Sequence, residues 1–406
     1  MQQQQSQKDI CDEKPTKIES GLIVVCVVIA VQIISMMMMR QITPIYLEHL
    51  DAPAAIVGLA VSAFALLPLL ISMPGGMLVD RIGYRKVVQI GALLTIISSI
   101  LMALLPPALV VIAAQMIGGL ANILVILATQ AYVSNLAPED RTRNFGLYSF
   151  SFGLGFLVSP PLAGLINDAW GFSASFIAAA LTAAVVLCLT TLMEKVKPDD
   201  KKNNQDMTLP IAVQQCSKLL SKPLVQLALG ISMCVLLIMT LKTSFYIVYL
   251  ERTGFSTTRI GILVAIQEGV ALLFRPFLPQ LSAYLGKLPL ISLSMVIGGV
   301  GIAATPFFGQ FTPLFIAAML HGITPAFSQP ISMVMMSNSS PRKTQGMAMG
   351  LRQMANQAPL FVGPIIFGVI VTYFSLSISF ILAGIILFLG ALSLMYIHVR
   401  MKTIQS

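Results

Sequence analysis

The stretch GGMLVDRIGYRK, residues 75–86, is a short polar turn between two long apolar runs. Gly76 leaves room for two helices to approach closely, and Gly83 permits a tight turn. The charged residues of the stretch are one acid and three bases, namely Asp80, Arg81, Arg85 and Lys86. A basic, glycine-containing turn between two apolar runs predicts a loop at a membrane surface.

The composition of the whole chain supports this interpretation of the turn. Of the 406 residues, 56% are hydrophobic and only 10% are charged, whereas soluble proteins carry about 25% charged residues. The mean hydropathy is +0.86. A membrane protein is therefore predicted, and the net charge of +9 does not indicate a nucleic-acid partner. The five cysteines lie far apart and form no CxxC pair, so no metal site or cofactor is indicated.

Apolar runs of about 20 residues, each long enough for one crossing of a bilayer, divide the chain into twelve predicted helices. They end near Leu47, Val79, Leu105, Ser134, Ile166, Met193, Leu250, Leu281, Phe307, Ser337, Thr372 and His398. A long hydrophilic stretch separates two groups of six. The predicted layout is a polar tail at 1–20, a six-helix bundle at 21–193, a linker at 194–217, a second six-helix bundle at 218–399 and a tail at 400–406.

The distribution of basic residues predicts which ends of these helices face the cytoplasm. Most of the 25 Lys and Arg residues lie in the tails, the linker and the loops on the side that holds both termini. The loops on the other side contain only Arg252 and Arg259. Because loops rich in Lys and Arg stay in the cytoplasm, both termini are predicted to be cytoplasmic, with the basic loops in contact with anionic lipid.

The two groups of six helices are related in sequence. The run Tyr-Leu-Glu at 46–48 recurs at 249–251. At the same offset, which is half the chain length, further matches are Gly58 with Gly261, Gly119 with Gly322, Pro138 with Pro341, and Pro161 with Pro364. A parallel duplication of this kind predicts a pseudo-two-fold axis along the membrane normal, with a substrate site between the halves near the middle of the bilayer.

The turn at 75–86 resembles the signature Gly-x-x-x-Asp-Arg-x-Gly-Arg-Arg-Lys of the major facilitator superfamily, with Tyr84 where Arg is common. The matching residues are Gly76, Asp80, Arg81, Gly83, Arg85 and Lys86. The twelve predicted helices, the basic linker and the duplication extend the resemblance over almost the whole chain. It implies an all-α membrane protein of two six-helix bundles, and a secondary active transporter that works by alternating access.

The position of Asp80 suggests that this signature is a cytoplasmic gate. Its carboxylate can lie near the positive N-terminal end of a helix that starts close to Thr344 in the second half. Such a contact would hold the two halves together on the cytoplasmic side. The alternative is that the bases Arg81, Arg85 and Lys86 only fix the orientation of the chain in the membrane.

A second signature lies in the sequence SFGLGFLVSPPLAG, residues 151–164. It is similar to a pattern of proton-linked drug exporters in the same superfamily, although Ser159 and Ala163 replace two glycines. The matching residues are Gly155, Pro160 and Gly164. The resemblance favours export and the group of twelve-helix drug or metabolite:proton antiporters. A role in close helix packing alone is the alternative.

The fourth predicted helix departs from those exporters, which usually carry there an intramembrane Arg associated with proton coupling. Gln115 is the nearest candidate for that position in this chain. Gln115, Asn122 and Thr129 follow one another at intervals of seven residues, so they lie on nearly one helix face. They either line a cavity or bond to a neighbouring helix.

Charged residues inside the predicted helices are further candidates for a site, because each costs about 2.5–3.5 kcal/mol on insertion scales and normally faces a cavity or a partner. The bases are Arg40, Lys242 and Arg352, with Tyr246 on the face of Lys242 and Asn356 on the face of Arg352. The resemblance directs the three bases, with the polar residues on their faces, to a central substrate cavity with a net positive charge, and Gln115 and Asn122 are further candidates for its lining.

Glu268 is the only carboxyl well inside a predicted helix. It is either the residue that exchanges protons or a structural partner that neutralises Arg352 or Lys242. His321 similarly either bonds between helices or relays protons. These alternatives concern energy coupling, which the sequence alone leaves open.

The function predicted from these features is proton-coupled export of small amphipathic or anionic organic compounds, by a monomer in a bacterial inner membrane. Import or uniport of an organic anion or nutrient is the first alternative, because it uses the same architecture. A membrane-embedded receptor or enzyme is the second. An enzyme is not expected, because the three histidines lie too far apart in sequence to form a local motif. No ATP-binding GxxxxGK[ST] loop occurs, so direct ATP drive is not supported.

Overall fold

The computed structural model describes residues 2–136, 141–193, 217–338 and 345–405, and every regular element within them is helical. The α-helices on which the fold rests are α1 (Gln2–His49), α2 (Ala54–Ile82), α3 (Tyr84–Ala103), α4 (Ala108–Leu136), α5 (Arg141–Leu189), α6 (Pro223–Leu241), α7 (Ile247–Arg252), α8 (Thr257–Phe274), α9 (Leu278–Leu285), α10 (Lys287–Ala304), α11 (Phe311–Asn338), α12 (Gln345–Tyr373) and α13 (Leu376–Gln405). A π-helical segment, Lys242–Tyr246, joins α6 to α7, and a short 3-10 turn joins α8 to α9.

Eleven helical stretches among the described residues are long and apolar enough to cross a membrane. The longest, Arg143–Leu192, has 50 residues, or about 75 Å of helix against a hydrocarbon core of about 30 Å. Gly171 interrupts it with φ 81° and ψ −176°. Just beyond this kink, Ser173 donates to the carbonyl of the last residue of α3. Further along, the Met193 carbonyl accepts from Arg85, near the start of α3. The second arm therefore runs antiparallel to α3. The predicted count of twelve treats the two arms as separate crossings.

The helical assembly has two ends, the Arg85 end and the Glu48 end. At the Arg85 end, Gly83 and Gly286 connect successive helices with φ angles of 93° and 86°, a region that residues with a Cβ rarely adopt. At the Glu48 end, α1 ends and α8 begins. Ser256 caps α8 there, because its hydroxyl oxygen accepts from the Arg259 backbone N–H at 3.4 Å.

The apolar interior falls into two main clusters. The larger one combines side chains from before and after the undescribed residues 194–216, including Met39, Phe245 and Phe367. The second lies within the N-terminal part of the chain and includes Val125. Because the larger cluster buries side chains from both parts of the chain, the hydrophobic effect holds those parts together.

Candidate functional site

A buried ion pair lies in the C-terminal part of the chain. Lys242 Nζ donates to Glu268 Oε1 at 2.8 Å, and the two side chains are 4% and 15% exposed. Lys242 begins the π-helical segment and Glu268 lies on α8, so the pair joins two neighbouring helices. Of the two partners that the sequence left open for Glu268, Lys242 rather than Arg352 forms the ion pair.

The backbone at Lys242 departs from the regular α-helix. Residues 242–246 form a π-helical turn between α6 and α7, and such turns inside α-helices are rare and frequently lie at functional sites. Tyr246, at the end of this turn, was predicted to line the substrate cavity. Its side chain is only 5% exposed, and its hydroxyl has no hydrogen-bond partner within the described chain.

His321 lies close to the same ion pair. Its Nδ1 is 2.9 Å from the side-chain oxygen of Gln267, and this contact connects α11 to α8. His321 also lines the same small cavity as Lys242 of the pair. The structure therefore gives His321 the interhelical hydrogen bond that was one of its two predicted roles, and places it beside the candidate proton site.

Arg40 lies on α1 beside an aromatic ring. Its guanidinium carbon is 4.5 Å from the centre of the Phe64 ring, which is a cation–π contact. The ion pairs of the described residues join Lys242 to Glu268 and Arg252 to Glu48, and neither includes Arg40. The Arg40 guanidinium is thus left without an acidic partner in that part of the chain.

Arg352 lies on α12 and bonds to neutral groups. Its Nη2 donates to the side-chain oxygen of Gln329 at 2.9 Å and to Ser332 Oγ at 3.1 Å. One turn further on, Asn356 Oδ1 accepts from Ser232 Oγ at 2.6 Å. Within residues 217–338 and 345–405 no carboxylate pairs with Arg352, so this second guanidinium also keeps its charge uncompensated there.

The polar residues of α4 make contacts with neighbouring helices. Gln115 Nε2 donates to Thr43 Oγ1 of α1 at 2.6 Å. The Thr129 hydroxyl lies 3.0 Å from the Tyr148 hydroxyl of α5. Asn122 differs from both, because its side-chain oxygen is buried and has no partner among the described residues. The face predicted on α4 therefore mainly bonds between helices, and Asn122 is the member with an unused acceptor.

The exporter-like signature of α5 lies at helix contacts. Gly155 packs against α1, where an added Cβ would come within 2.9 Å of a backbone oxygen, and Gly164 packs against the backbone of Thr257 at the start of α8. The Pro160 carbonyl accepts from Gln41 Nε2 of α1 at 3.0 Å. The signature thus fits α5 closely between α1 and α8, as its small residues predict.

Polar contacts join the two parts of the chain at the Glu48 end. Arg252 donates from Nε to Glu48 Oε1 at 2.5 Å and from Nη2 to Oε2 at 3.1 Å. The two carboxylate oxygens of Asp168 accept hydrogen bonds from the backbone N–H groups of Thr257 and Thr258, at 2.9 and 2.8 Å. A carboxylate at a helix N-terminus is stabilised by the free N–H groups and the helix dipole. These contacts hold the Glu48 end closed.

The described part of the predicted gate motif lies at the Arg85 end. Gly83 makes the turn between α2 and α3, Arg85 donates to the Met193 carbonyl at 3.4 Å, and Lys86 is exposed. The positions of the motif whose side chains fall outside the description are Gly76, Asp80 and Arg81. Thr344 also lies outside it. The contact between Asp80 and the helix near Thr344 therefore stays a prediction.

Comparison with known protein families decides what this helical assembly is. The family model described as Major Facilitator Superfamily matches residues 23–308 and, in a second match, residues 228–404. The protein belongs to the major facilitator superfamily. The family predicted from residues 75–86 is therefore confirmed, and the chain is a multi-pass membrane transporter and not an enzyme.

Curated relatives within the superfamily include proteins named for drug resistance. The chain is 23% identical over 360 residues to the quinolone resistance protein NorA of Staphylococcus aureus (strain MSSA476), covering 86% of this chain and 90% of that protein. It is 23% identical over 364 residues to multidrug resistance protein 2 of Bacillus subtilis (strain 168), covering 86% and 88%. Both relatives are bacterial.

Solved structures of other transporters share the fold. A mutant form of the nucleoside transporter NupG superposes with a TM-score of 0.80 at 14% identity, over 93% of this chain and 99% of that chain. A POT family transporter in complex with a thioalcohol conjugated peptide gives 0.77 at 17% identity, over 95% and 99%. Identities this low show a common fold and say nothing about the substrate.

The sequence did not single out the residues that close the Glu48 end of this facilitator. It placed Arg252 in a loop and gave Asp168 no role. A signal for Arg252 was nevertheless present, because Arg252 directly follows the repeated run 249–251, and Glu48 ends the matching run 46–48. In a parallel duplication these positions lie at corresponding ends of the two repeats, and the structure brings them into contact.

Close backbone contacts at the Glu48 end follow the same duplication. Gly58 on α2 lies against the backbone of Pro364 on α12, and Gly261 on α8 lies against the backbone of Pro160 and Pro161 on α5. Gly58 and Gly261 are equivalent positions of the two repeats, as are Pro161 and Pro364. A glycine of each half therefore meets a proline of the other half in two related contacts.

Replacing Gly261 by Ala should open the Glu48 end of the facilitator. The added Cβ would overlap the Pro160 carbonyl, and overpacking of this kind costs about 1–3 kcal/mol. In a background without native cysteines, a Thr257→Cys probe, placed where the side chain is 5% exposed, should then react faster with a membrane-impermeant maleimide. Gly230→Ala is the control, because an added Cβ there meets nothing within 4 Å. Equal labelling of the two variants would contradict the role given to this contact.

Proposed function

We propose that this protein exports small amphipathic or anionic organic compounds in exchange for protons. The observation that carries the proposal is the arrangement of charge inside the helices. Glu268 forms an ion pair with Lys242, with 2.8 Å between Oε1 and Nζ. Arg40 and Arg352, in contrast, have no carboxylate partner in the described residues. An acid–base pair that opens and closes can exchange a proton, and guanidinium groups without a counter-charge can bind an anion.

The proposed frame has twelve crossings, with the two arms of α5 on either side of Gly171 counted separately. The Arg85 end and both termini face the cytoplasm, because the basic loops lie there, and the Glu48 end faces the outside of a bacterial inner membrane. The proposed divisions are the bundles 21–193 and 218–399, the linker 194–217, and the tails 1–20 and 400–406. Since one chain contains both bundles, the monomer is the functional unit.

The names of the curated relatives support export. One relative is named for resistance to quinolones and the other for resistance to multiple drugs. The exporter-like signature of α5, which packs closely against α1 and α8, points the same way. The identity to each is only 23%, and the proposed substrate class rests on the unpaired bases of this chain.

Glu268 is the proposed proton site. It is the acid of the buried pair, and α4 has Gln115 rather than an Arg at the position used by many exporters. When the helices move during alternating access, separation of Lys242 from Glu268 leaves a carboxylate in an apolar surrounding. Such a group takes up a proton instead of remaining charged without a partner. Rejoining of the pair then releases that proton.

Arg40 and Arg352 are the proposed contacts for an anionic substrate group. The cation–π contact with Phe64 orients the Arg40 guanidinium without neutralising it. Arg352 is held by neutral oxygens and likewise keeps its charge. The unused oxygen of Asn122 offers an acceptor for a neutral or donor group of the same substrate, with Gln115 and Asn356 as further polar lining.

The two ends of the molecule are proposed to open in turn. In the structure the Glu48 end is closed by contacts of Arg252 and Asp168. When that end opens, Asp80 and the bases of the gate motif hold the halves together at the Arg85 end instead. Alternating access then consists of exchanging one set of contacts between the halves for the other.

Transport by purified protein in liposomes tests the proposed function. Vesicles made acidic inside should accumulate an anionic fluorescent compound added outside, because protons leaving the vesicle drive the substrate inward. A protonophore should abolish the accumulation, and a neutral or cationic compound should be accumulated less. Accumulation only in vesicles made alkaline inside would instead show proton-linked import. Equilibration of the compound across the vesicle membrane at a level independent of the pH gradient would show a uniporter.

A further inference from the structure

A small cavity lies beside the Lys242–Glu268 pair, within the C-terminal helices. Its volume, taken as the space open to the centre of a water molecule, is about 10 Å³. That is close to the space that one water molecule requires. Lys242, Tyr246 and His321 line it, and Ile302 and Ala318 contribute apolar walls. The cavity is therefore large enough for one small ligand and has polar groups on more than one side.

The Tyr246 hydroxyl is the first reason to expect an occupant. It is buried and has no hydrogen-bond partner among the described residues, although the side chain lines the cavity. The neighbouring Gln267 side chain is directed elsewhere, because its oxygen contacts His321 and its nitrogen donates to the Leu263 carbonyl. Neither of these atoms makes a hydrogen bond with the Tyr246 hydroxyl. Leaving a buried hydroxyl unsatisfied is unfavourable, and most such groups in folded proteins have a protein or water partner. A ligand in the cavity would supply that partner.

The other polar walls indicate what kind of ligand fits. His321 Nδ1 bonds to the side-chain oxygen of Gln267, which can only accept, so the ring proton lies on Nδ1 and the other nitrogen, Nε2, is an acceptor. The Lys242 ammonium has three N–H donors, one of which goes to Glu268. The walls thus present donors, an acceptor and a hydroxyl that can act as either.

We propose that this cavity binds a single water molecule held by Lys242, Tyr246 and His321. The water oxygen accepts from the Lys242 ammonium and the Tyr246 hydroxyl, and one of its hydrogens is donated to His321 Nε2. A halide ion does not fit, because it cannot donate to Nε2 and because Glu268 already neutralises Lys242. The site rests on hydrogen-bond balance alone, so it stands whether or not Glu268 carries the transported proton.

Thermal unfolding of the full chain in detergent tests the water site, because the proposal decides whether the melting temperature falls or rises in the variant Tyr246→Phe. Tyr246→Phe removes a hydroxyl that holds the water, so the melting temperature should fall by about 1–3 °C. Without water the same change would remove an unsatisfied polar group and raise the melting temperature. Tyr249→Phe is the matched control, because its hydroxyl donates to the Phe308 carbonyl at 3.1 Å and its loss must destabilise. A rise for Tyr246→Phe beside a fall for Tyr249→Phe would overturn the proposal.

One measurement on the unaltered protein does not depend on the folding of a variant. Radiolytic labelling in oxygen-18 water should modify Tyr246 and His321, although they are only 5% and 6% exposed. The extent of their labelling should be well above that of the fully buried Phe245. Labelling no greater than that of Phe245, after normalisation to the denatured chain, would contradict a bound water.

Discussion

Accumulation driven by a pH gradient should fall to the level of protein-free vesicles in the variant Glu268→Gln. The amide keeps the shape of the side chain but cannot lose a proton, so no proton can move with each transport cycle. Binding of the substrate and its exchange down a concentration gradient should remain, because neither requires a titrating group. Uptake into liposomes with and without an imposed gradient measures both quantities on the same preparation.

The matched control for this variant concerns stability. Glu268→Gln leaves the Lys242 ammonium buried without its partner, and breaking a buried pair on one side costs about 3–5 kcal/mol. The double variant Lys242→Met with Glu268→Gln removes both charges and should unfold at a temperature closer to that of the wild type. It should still fail to use the gradient. If either variant accumulates substrate as well as the wild type, Glu268 is not the proton site, and His321 becomes the next residue to replace.

Binding of an anionic compound should weaken about 10- to 100-fold in Arg40→Gln and in Arg352→Gln, since a hydrogen bond to a charged group contributes about 1.5–3 kcal/mol. A neutral compound of similar size should be affected much less, because it does not need the positive charge. Arg40→Lys keeps the charge but loses the planar fork of the guanidinium, so its effect should lie in between. Equilibrium binding of an anionic and neutral pair to each purified variant measures this difference.

Arg252→Gln is the control for these two substitutions. It removes a positive charge of the same type from the Glu48 end, where the Arg252 side chain is 51% exposed. It can therefore loosen the closure of that end, but it leaves both proposed anion contacts in place. The preference for anions should therefore survive in Arg252→Gln. Equal effects of all three substitutions on the anionic compound, or a preference of the wild type for cations, would show that Arg40 and Arg352 do not face the substrate.

The family and the positions of the crossings could be predicted because their signals are local. Hydropathy over about 20 residues marks each crossing, and the turn at 75–86 carries its residues in one short stretch. The region around Gly171 is harder to predict. In the structure helical segments continue directly on both sides of this single glycine, whose φ is 81°. From the sequence alone, such a sharp kink cannot be distinguished from an ordinary loop between two helices.

The partners of the charged residues could not be predicted to the same extent. Placing Lys242, Glu268 and Arg352 inside helices needs only their neighbours in sequence, whereas the choice of partner depends on how each helix is rotated about its axis. The π-helical turn at 242–246 changes that rotation, and a face read at 3.6 residues per turn does not continue through it. The structure places Tyr246 at one small cavity with Lys242 and His321, and its contact with the substrate stays a prediction.

The contacts between glycine and proline at the Glu48 end also bear on the electrical behaviour of the membrane. They are made by backbone atoms of α2 with α12 and of α8 with α5, so rotation of a single side chain cannot separate them. These contacts separate only when whole helices move apart. A protein in this state should therefore pass no measurable ion leak, and a cell that holds many copies of it should keep its membrane potential while they are idle.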